Sequence, residues 1–231
     1  SSPHVNPVGE VIEVLGKAGD HETEMQAIIR GGGFSENFAP EIAQAAQELY
    51  KNQEQIFVDA QENPKRRDMR DITTMTIDPA DAKDFDDALS IERLDNGNYS
   101  IGIHIADVSQ DVEEGGHIDI EARDRGTSIY LVDRVIPMLP EVLSNDLCSL
   151  RPNTDRLAFS AVFEMTPNAE IANAWYGQTI IHSDKRFSYE EAQEVLDKES
   201  GEYLEELTIM MTLGRLLRKD RYKQGAIAFE Q

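Results

Sequence analysis

The spacing of hydrophobic residues changes several times along the chain, and each change predicts a different element. Apolar and polar residues alternate over residues 8–14, 72–77, 88–94 and 99–106, which predicts strands. Helical spacing predicts helices over residues 22–29, 40–57 and 118–129. Nearer the C-terminus, the pattern predicts a hairpin over 157–165 and 170–181, helices over 188–196 and 203–222, and a strand-like start at 225–231. This series predicts an α+β fold, a mostly antiparallel sheet with packed helices.

Turn and cap residues sharpen this outline. The tetrapeptide DNGN at residues 95–98 has the chemistry of a hairpin turn between two of the strands. Ser188 and Glu191 have the spacing of a capping box at a helix start. The PMLP stretch at 137–140 contains prolines too close together for a regular element. A change of pattern near residues 58–70 divides the chain into an N-terminal segment, 1–62, and a larger sheet-bearing unit, 63–231.

Charge alone argues against a phosphate-binding protein, because 22 basic and 44 acidic residues give a net charge of −22. Two explanations stay open: a solvated acidic surface, or a locally basic nucleic-acid path on an otherwise acidic protein. The basic run at 65–70 could serve such a path, as could Arg123, Arg125 and Arg134 more weakly. One cysteine, Cys148, allows no internal disulfide and no cysteine-based zinc site, and is expected to be buried. No apolar run reaches the roughly 18 residues of a membrane span, and we expect a cytoplasmic protein.

The most informative stretch is TIDPADAKDFDDALS, residues 76–90, which carries five carboxylates between two predicted strands. So many negative charges on a short loop are costly unless something positive neutralises them. Hard divalent ions such as Mg²⁺ and Mn²⁺ take oxygen ligands and assist phosphodiester hydrolysis. A solvated acidic loop is the plain alternative. Against it, Asp78 ends an apolar strand, and Phe85 and Ala88 are apolar residues inside the cluster. A calcium-binding EF-hand fits poorly, because its loop glycine and closing glutamate are missing.

This stretch resembles the catalytic signature of the ribonuclease II / ribonuclease R family, whose nuclease domain is called RNB. Four further segments match in order: IHIADVS at 103–109, RGTSIY at 125–130, PMLPEVLSNDLCSL at 137–150 and GAIAFE at 225–230. The resemblance covers about residues 71–231 and is closest to the ribonuclease R branch. More loosely, residues 1–56 resemble the end of a cold-shock-type barrel followed by a connector helix.

The resemblance implies a 3′-to-5′ hydrolytic exoribonuclease that releases nucleoside 5′-monophosphates with Mg²⁺ or Mn²⁺. Carried over by position, Asp78 and Asp87 would be direct metal ligands, and Asp84 a supporting ligand with a catalytic role. Asp86 would be the catalytic carboxylate most critical to the chemistry, through a second metal or the attacking water. Asp81 has no such role. Tyr130 would bind RNA by stacking on a nucleotide near the 3′ end; without the resemblance it reads as a half-buried core aromatic.

The same resemblance implies RNA with a single-stranded 3′ end as substrate, with no membrane, and other RNA-decay or ribosome-associated factors as partners. It also implies that an RNB domain continues past residue 231 with an arginine and further contacts, so we expect this chain to be inactive alone. The alternatives are a non-catalytic RNA-binding or interaction module on an RNB-like scaffold, and an unrelated metal-dependent phosphoesterase. Intact carboxylates disfavour the first, and the PMLPEVLSNDLCSL segment disfavours the second.

Other chemistry-bearing residues receive structural interpretations. His104 alternates with Ile103 and Ile105 and is therefore expected at a surface or interface. Trp175 and Tyr176 are expected to pack in the second hairpin. Isolated arginines such as Arg125, Arg151 and Arg156 are expected to form surface pairs.

Overall fold

The computed structural model describes residues 9–227. Seven α-helices are described: α1 His21–Gly31, α2 Pro40–Lys51, α3 Gln53–Gln61, α4 Val108–Asp111, α5 His117–Arg125, α6 Tyr189–Lys198 and α7 Leu204–Lys223. Nine strands accompany them: β1 Arg67–Asp68, β2 Thr74–Asp78, β3 Asp87–Arg93, β4 Tyr99–Ala106, β5 Ile129–Tyr130, β6 Val135–Ile136, β7 Asp155–Met165, β8 Ile171–His182 and β9 Lys185–Ser188. A short π-helix spans Leu143–Leu147. None of these helices is long and apolar enough to cross a bilayer.

The main sheet has seven strands in the order β1-β8-β7-β4-β3-β2-β9. Its centre is antiparallel, and the two edge strands pair in parallel, β1 with β8 and β9 with β2. A second, two-stranded sheet joins β5 to β6. The predicted α+β class with a mostly antiparallel sheet is thus confirmed, and so are both predicted hairpins, β3–β4 and β7–β8.

Two turn predictions are confirmed in detail. Gly97 closes the first hairpin with φ of 84°, a conformation that glycine adopts without steric cost. The Ser188 hydroxyl accepts from the Glu191 backbone N–H, and the Glu191 carboxylate accepts from the Ser188 N–H, so the capping box starts α6.

The core lies on both faces of the sheet. One face packs against α2, α5 and the π-helix through the buried residues Ile42, Ala46, Ile118, Leu143 and Leu150. At the β2–β9 edge and at the far ends of β3 and β4, apolar residues pack against α6 and α7. Cys148 is buried in the first of these clusters, as predicted. Burying apolar area on both faces is what stabilises such a layered fold.

Several boundaries differ from the predictions. The helix predicted over 40–57 is two helices that meet at Asn52, and the helix predicted over 118–129 ends at Arg125, where Gly126 adopts the left-handed conformation. Residues 9–14 form no strand: Val11, Ile12 and Val14 are exposed. An isolated strand gains no ladder hydrogen bonds, and the described part of the chain supplies no partner for it. Residues 225–227 form no strand, and residues 228–231 lie outside the described range.

Candidate active site

The acidic loop, residues 79–86, connects β2 to β3, and the two strands are antiparallel neighbours. Asp78 is therefore the last residue of one strand and Asp87 the first residue of the next. Strand ends that meet at one edge of a sheet place their side chains close to the connecting loop. Three further acids, Asp81, Asp84 and Asp86, lie within the connecting loop itself.

Backbone and side-chain hydrogen bonds hold this loop on several sides. Asp86 accepts through its carbonyl from the Ala106 N–H at 3.0 Å, and Phe85 accepts in the same way from Leu150 at 2.8 Å. The Phe85 N–H donates to the Ser149 hydroxyl at 3.0 Å. Thus β4 and the segment after the π-helix both fix the loop, and the predicted packing of Phe85 inside the acidic cluster is confirmed.

The carboxylates act on one another. Burial raises the pKa of Asp78, and the charges of Asp87 and Asp84 raise it further, while Thr76 and Arg186 lower it. Partial burial of the carboxyl raises the pKa of Asp86, and the charges of Asp84, Asp87 and Asp78 raise it further, although the residue as a whole is exposed. The four acids that the resemblance singled out therefore share one electrostatic environment. Asp81 is exposed in the same loop.

Asp78 carries an oxygen with no protein partner. Its Oδ2 atom is buried and accepts no hydrogen bond from any residue between 9 and 227. The Thr76 hydroxyl is near enough to lower the Asp78 pKa, yet Thr76 Oγ1 is also buried without a hydrogen-bond partner. A buried carboxylate oxygen without a donor is costly, and a cation would relieve that cost.

Chemically, the donor set suits a hard divalent cation, because all four candidates offer carboxylate oxygens and one of those oxygens is buried and unpartnered. Across residues 9–227, no three His, Cys, Asp or Glu side chains are already gathered around a single point as metal ligands. The charges of neighbouring acids raise the pKa of Asp78 and Asp86, but the four side chains would have to turn toward a cation to hold it together. Asp78, Asp84, Asp86 and Asp87 are the residues that could do so.

Arg186 is a basic residue that contacts this loop from a distant strand, and the sequence pattern does not reveal it. It lies on β9, opposite Thr76 in the parallel pairing with β2. Its Nη2 atom donates to the carbonyls of Pro79 and Ala80 at 2.8 and 2.9 Å. The guanidinium carbon lies 5.6 Å from the centre of the Phe85 ring, and the Nε–H is buried without a partner. About a hundred positions separate Arg186 from the loop in sequence. The pairing of β9 with β2 brings them together, and that pairing is not predicted by the sequence pattern.

Tyr130 lies near enough to the acidic loop for two of its carboxylates to act on the tyrosine hydroxyl. It is 70% exposed, on the small β5–β6 sheet. Burial of part of the ring raises the pKa of its hydroxyl, and the charges of Asp84 and Asp86 raise it further, which places Tyr130 within electrostatic reach of these two acids. The structure does not support a half-buried core aromatic at this position.

The prediction for His104 is wrong, whereas those for the two aromatic residues of the second hairpin are confirmed. His104 is fully buried, whereas its neighbours Ile103 and Ile105 are 39% and 49% exposed, so the surface prediction for His104 is wrong. Its ring bonds Ser90 at 2.8 Å and Ser160 at 2.6 Å, which satisfies both nitrogens inside the sheet. Trp175 packs against the main core as predicted, and Tyr176, although 63% exposed, packs edge-on against Phe163 of the same hairpin with ring centres 5.9 Å apart.

The basic run at 65–70 is largely structural. The Arg66 side chain is wholly buried and pairs with Asp107 at 2.7 Å. Arg70 pairs with Asp68 and Asp155, and Arg67 stacks over the Trp175 ring. These partners leave Arg66 unable to contact RNA.

Arg125, Arg151 and Arg156 are all paired, as predicted, but only Arg151 is exposed. Arg151 pairs with Asp146, and Arg156 is also bonded to that residue and to the Ser149 carbonyl. Arg125 pairs with Glu121 and donates to the carbonyls of Ser35 and Asn37, which ties the N-terminal segment to α5.

An antiparallel sheet that brings carboxylates to two neighbouring strand ends offers the oxygen ligands that hard divalent cations take. Comparison with known proteins identifies the family. The family model described as the RNB domain matches residues 66–231, and a cold shock domain model matches residues 1–39. The chain belongs to the RNB family.

Among curated relatives, DIS3-like exonuclease 2 of Xenopus tropicalis is 40% identical over 96% of this chain and 28% of its own length. Ribonuclease R of Thermotoga maritima is 40% identical over 98% of this chain and 32% of its own length. The chain therefore spans about a third or less of the length of these two relatives, one of which is an exonuclease by name and the other a ribonuclease.

Solved structures agree. The apo form of Mycoplasma genitalium RNase R superposes with a TM-score of 0.85 at 31% identity, covering 95% of this chain and 34% of that one. The same enzyme in complex with ribose-methylated single-stranded RNA gives a TM-score of 0.83 at 30% identity, covering 95% and 34%. Yeast Ssd1, described as a pseudonuclease, shares the fold at a TM-score of 0.70 and 22% identity, covering 87% of this chain and 25% of that one.

Proposed function

We propose that the protein to which this chain belongs is a 3′-to-5′ exoribonuclease that hydrolyses RNA to nucleoside 5′-monophosphates with a divalent cation. The observation that carries the proposal is the group of four carboxylates at and between the joined ends of β2 and β3, where neighbouring charges raise the pKa of Asp78 and Asp86 and one buried oxygen is unpartnered. Membership of a family with exoribonuclease relatives supports it. RNA with a single-stranded 3′ end and a cytoplasmic location belong to the same proposal.

The four acids have distinct proposed roles. Asp78 and Asp87 sit at rigid strand ends, so they are suited to be direct ligands of Mg²⁺ or Mn²⁺. Asp84 supports them, and Asp86, on which the other three charges act, is the carboxylate most critical to the chemistry. When bound, the cation supplies charge neutralisation at the phosphate and activation of water. Exposed Tyr130, beside Asp84 and Asp86, stacks on a nucleotide near the 3′ end and positions it.

A non-catalytic RNA-binding module is the second candidate, favoured by the fold shared with a pseudonuclease. The carboxylates count against it. Repulsion between close acids costs stability, and a module that only binds an anionic polymer gains nothing from gathering them.

The test of catalysis uses the whole protein. Asp86→Asn should lower turnover by about two orders of magnitude or more with RNA affinity nearly unchanged, because affinity comes mainly from backbone and stacking contacts. Asp81→Asn, an exposed acid of the same loop, is the matched control and should retain activity. Product release from a labelled RNA measures the first quantity and filter binding the second. Equal behaviour of the two variants would refute the assignment of roles.

Metal binding is testable on this chain itself. Mn²⁺ should raise the melting temperature, since an ion that binds only the folded state stabilises it. The double variant Asp78→Asn/Asp87→Asn should melt higher than the unaltered chain without metal, because it removes repulsion, and should lose the response to Mn²⁺. Asp81→Asn serves again as control. The same Mn²⁺ response in the double variant and the unaltered chain would contradict the metal assignment.

A further inference from the structure

The C-terminal half of α7 presents a basic surface that the proposed function does not use. Four cations and one aromatic recur at helical spacing and line one shallow, open depression: Arg215, Arg218, Lys219, Tyr222 and Lys223. Positions three and four apart lie on one face of a helix, so these residues form a single surface, called here the α7 basic face. All five are exposed, and the last buried residue of α7 is Leu213. The helix therefore carries this face away from the core.

The cations of this face have no carboxylate partners among residues 9–227. None of the four takes part in an ion pair there, although the chain has twice as many acidic as basic residues. The nearest acid in sequence, Asp220, instead accepts a hydrogen bond from Gln224 at 2.7 Å. Unpaired cations side by side on a helix repel one another, and an anionic ligand would relieve that repulsion.

Tyr222 adds a second kind of contact. Its ring is 42% exposed, and the guanidinium of Arg218 lies over it, 5.6 Å from the ring centre. An exposed aromatic between cations is the combination that single-stranded nucleic acid requires, since cations contact phosphates while the ring stacks on a base. An acidic protein segment would use the cations but would gain no stacking.

We propose that the α7 basic face binds single-stranded RNA, with its cations on the phosphates and Tyr222 stacked on a base. From residue 215 to 223 the face is about 12 Å long, at roughly 1.5 Å per residue. At about 3.4 Å per nucleotide of a stacked strand, that length matches roughly three or four nucleotides. This contact is separate from the acidic loop and needs neither metal nor hydrolysis.

Binding of a labelled oligoribonucleotide of about 12 nucleotides to this chain in EDTA, followed by fluorescence anisotropy over a salt series, tests the proposal. Arg218→Gln/Lys219→Gln should reduce the slope of log K against log salt by about 1.4, at roughly 0.7 per lost phosphate contact. Tyr222→Leu should weaken binding by about fivefold or more and leave the slope unchanged. All three substituted residues are exposed, so thermal melts should be unaltered.

The matched control is Arg30→Gln/Arg93→Gln, which removes the same charge from two exposed arginines that pair with carboxylates. The control should keep the slope of the unaltered chain. Equal slopes in the α7 variant and the unaltered chain, or equal losses in the α7 variant and the control, would overturn the proposal. So would binding of polyglutamate as tight as that of RNA with no effect of Tyr222→Leu, because the partner would then be an acidic protein. The assay involves no cleavage, so its result is independent of the Asp86→Asn test.

Discussion

Tyr130 is an exposed aromatic beside carboxylates, a position that contributes little to a folded core. Only a small part of its ring is buried, and its partner strand β6 is two residues long. An aromatic held there by a short hairpin is available to a ligand. The proposed contact with a nucleotide and a packing role make different predictions.

In the whole protein, Tyr130→Ala should remove roughly 1–3 kcal/mol of stacking. This loss matters most for short substrates, because long RNA keeps many other contacts. The variant should degrade long RNA readily and stop at a longer final oligonucleotide, seen as a shifted ladder on a gel. Tyr189→Ala, an exposed tyrosine at the start of α6, is the control and should leave the ladder unchanged. A lower melting temperature with an unaltered ladder would assign Tyr130 to packing.

At the level of single residues, the sequence predicts the acids of the site better than their surroundings. Charge density and position between two strands single out the acidic loop. Alternation misleads at His104, because it suggests that Ile103 and Ile105 face the interior. In the structure the buried face at this point carries His104, Ser90 and Ser160, which satisfy one another through hydrogen bonds. Such a polar interior depends on partners from other strands, which a single strand's pattern cannot show.

At the scale of elements, the edge strand β9 is hydrogen-bonded to the acidic loop through the Arg186 side chain. The Arg186 guanidinium, on β9, donates two hydrogen bonds to carbonyls of the acidic loop, which follows the neighbouring strand β2. Bonds from a charged donor are stronger than neutral ones. The short edge strand therefore positions the loop that bears the carboxylates.

Arg186→Met should loosen this connection. We expect a loss of about 1–3 kcal/mol of stability, the cost of bonds to a charged group, and faster amide hydrogen exchange in residues 79–86. Lys185→Met changes the adjacent residue of β9, whose pair with Glu202 is at the surface, and should leave exchange in the loop unchanged. Exchange followed by mass spectrometry measures both. Protection of the loop that equals that of the unaltered chain would show that Arg186 does not position it.

Local pattern predicts elements well where it is sufficient. The β3–β4 and β7–β8 hairpins follow from alternation and turn residues, and α6 follows from its capping box. The break at Asn52 is not visible, since apolar spacing continues through it. The strand expected before residue 15 fails for a different reason: a strand depends on neighbours that the described residues do not contain.

At the scale of the whole molecule, the strand order could not be predicted. The parallel edge strands β1 and β9 join the sheet beside distant segments, and β9 brings Arg186 to the site. Across the middle of the sheet, side chains from four strands that are neighbours in the sheet form one buried chain of polar residues, joined by hydrogen bonds: Ser90 of β3, His104 of β4, Ser160 of β7 and Thr179 of β8. Gly102 makes room for it, since a Cβ there would collide with Ser90 and His104.

This polar chain gives global stability a pH dependence. Burial lowers the pKa of His104 from 6.5 to about 4, so the unfolded chain takes up the proton first as pH falls. The contribution of neutral His104 to the free energy of unfolding is complete above pH 6.5. As pH falls from 6.5 to 4, up to about 3 kcal/mol of this stability is lost. The destabilisation caused by His104→Asn should therefore shrink by that order as pH falls from 7.5 to 4. Burial raises the pKa of Asp111 to about 6, which acts in the opposite direction but is common to both proteins.

Urea unfolding of the unaltered chain and of His104→Asn at matched pH measures this difference. The pH-dependent effects of Asp111 and of the loop acids with raised pKa are the same in both proteins, so they cancel in the comparison. Parallel stability curves for the two proteins would show that His104 is not held neutral by burial.

The chain of four polar residues also bears on how this sequence can change over time. Ser90, His104, Ser160 and Thr179 each satisfy a neighbour, so replacing any one leaves a buried donor or acceptor without a partner. A second replacement at the adjoining position would remove the unpaired donor or acceptor and recover part of the lost stability. These four sites are therefore epistatic. An accepted substitution in one strand depends on which residue already occupies the next, and viable paths between sequences at these positions pass through coordinated pairs.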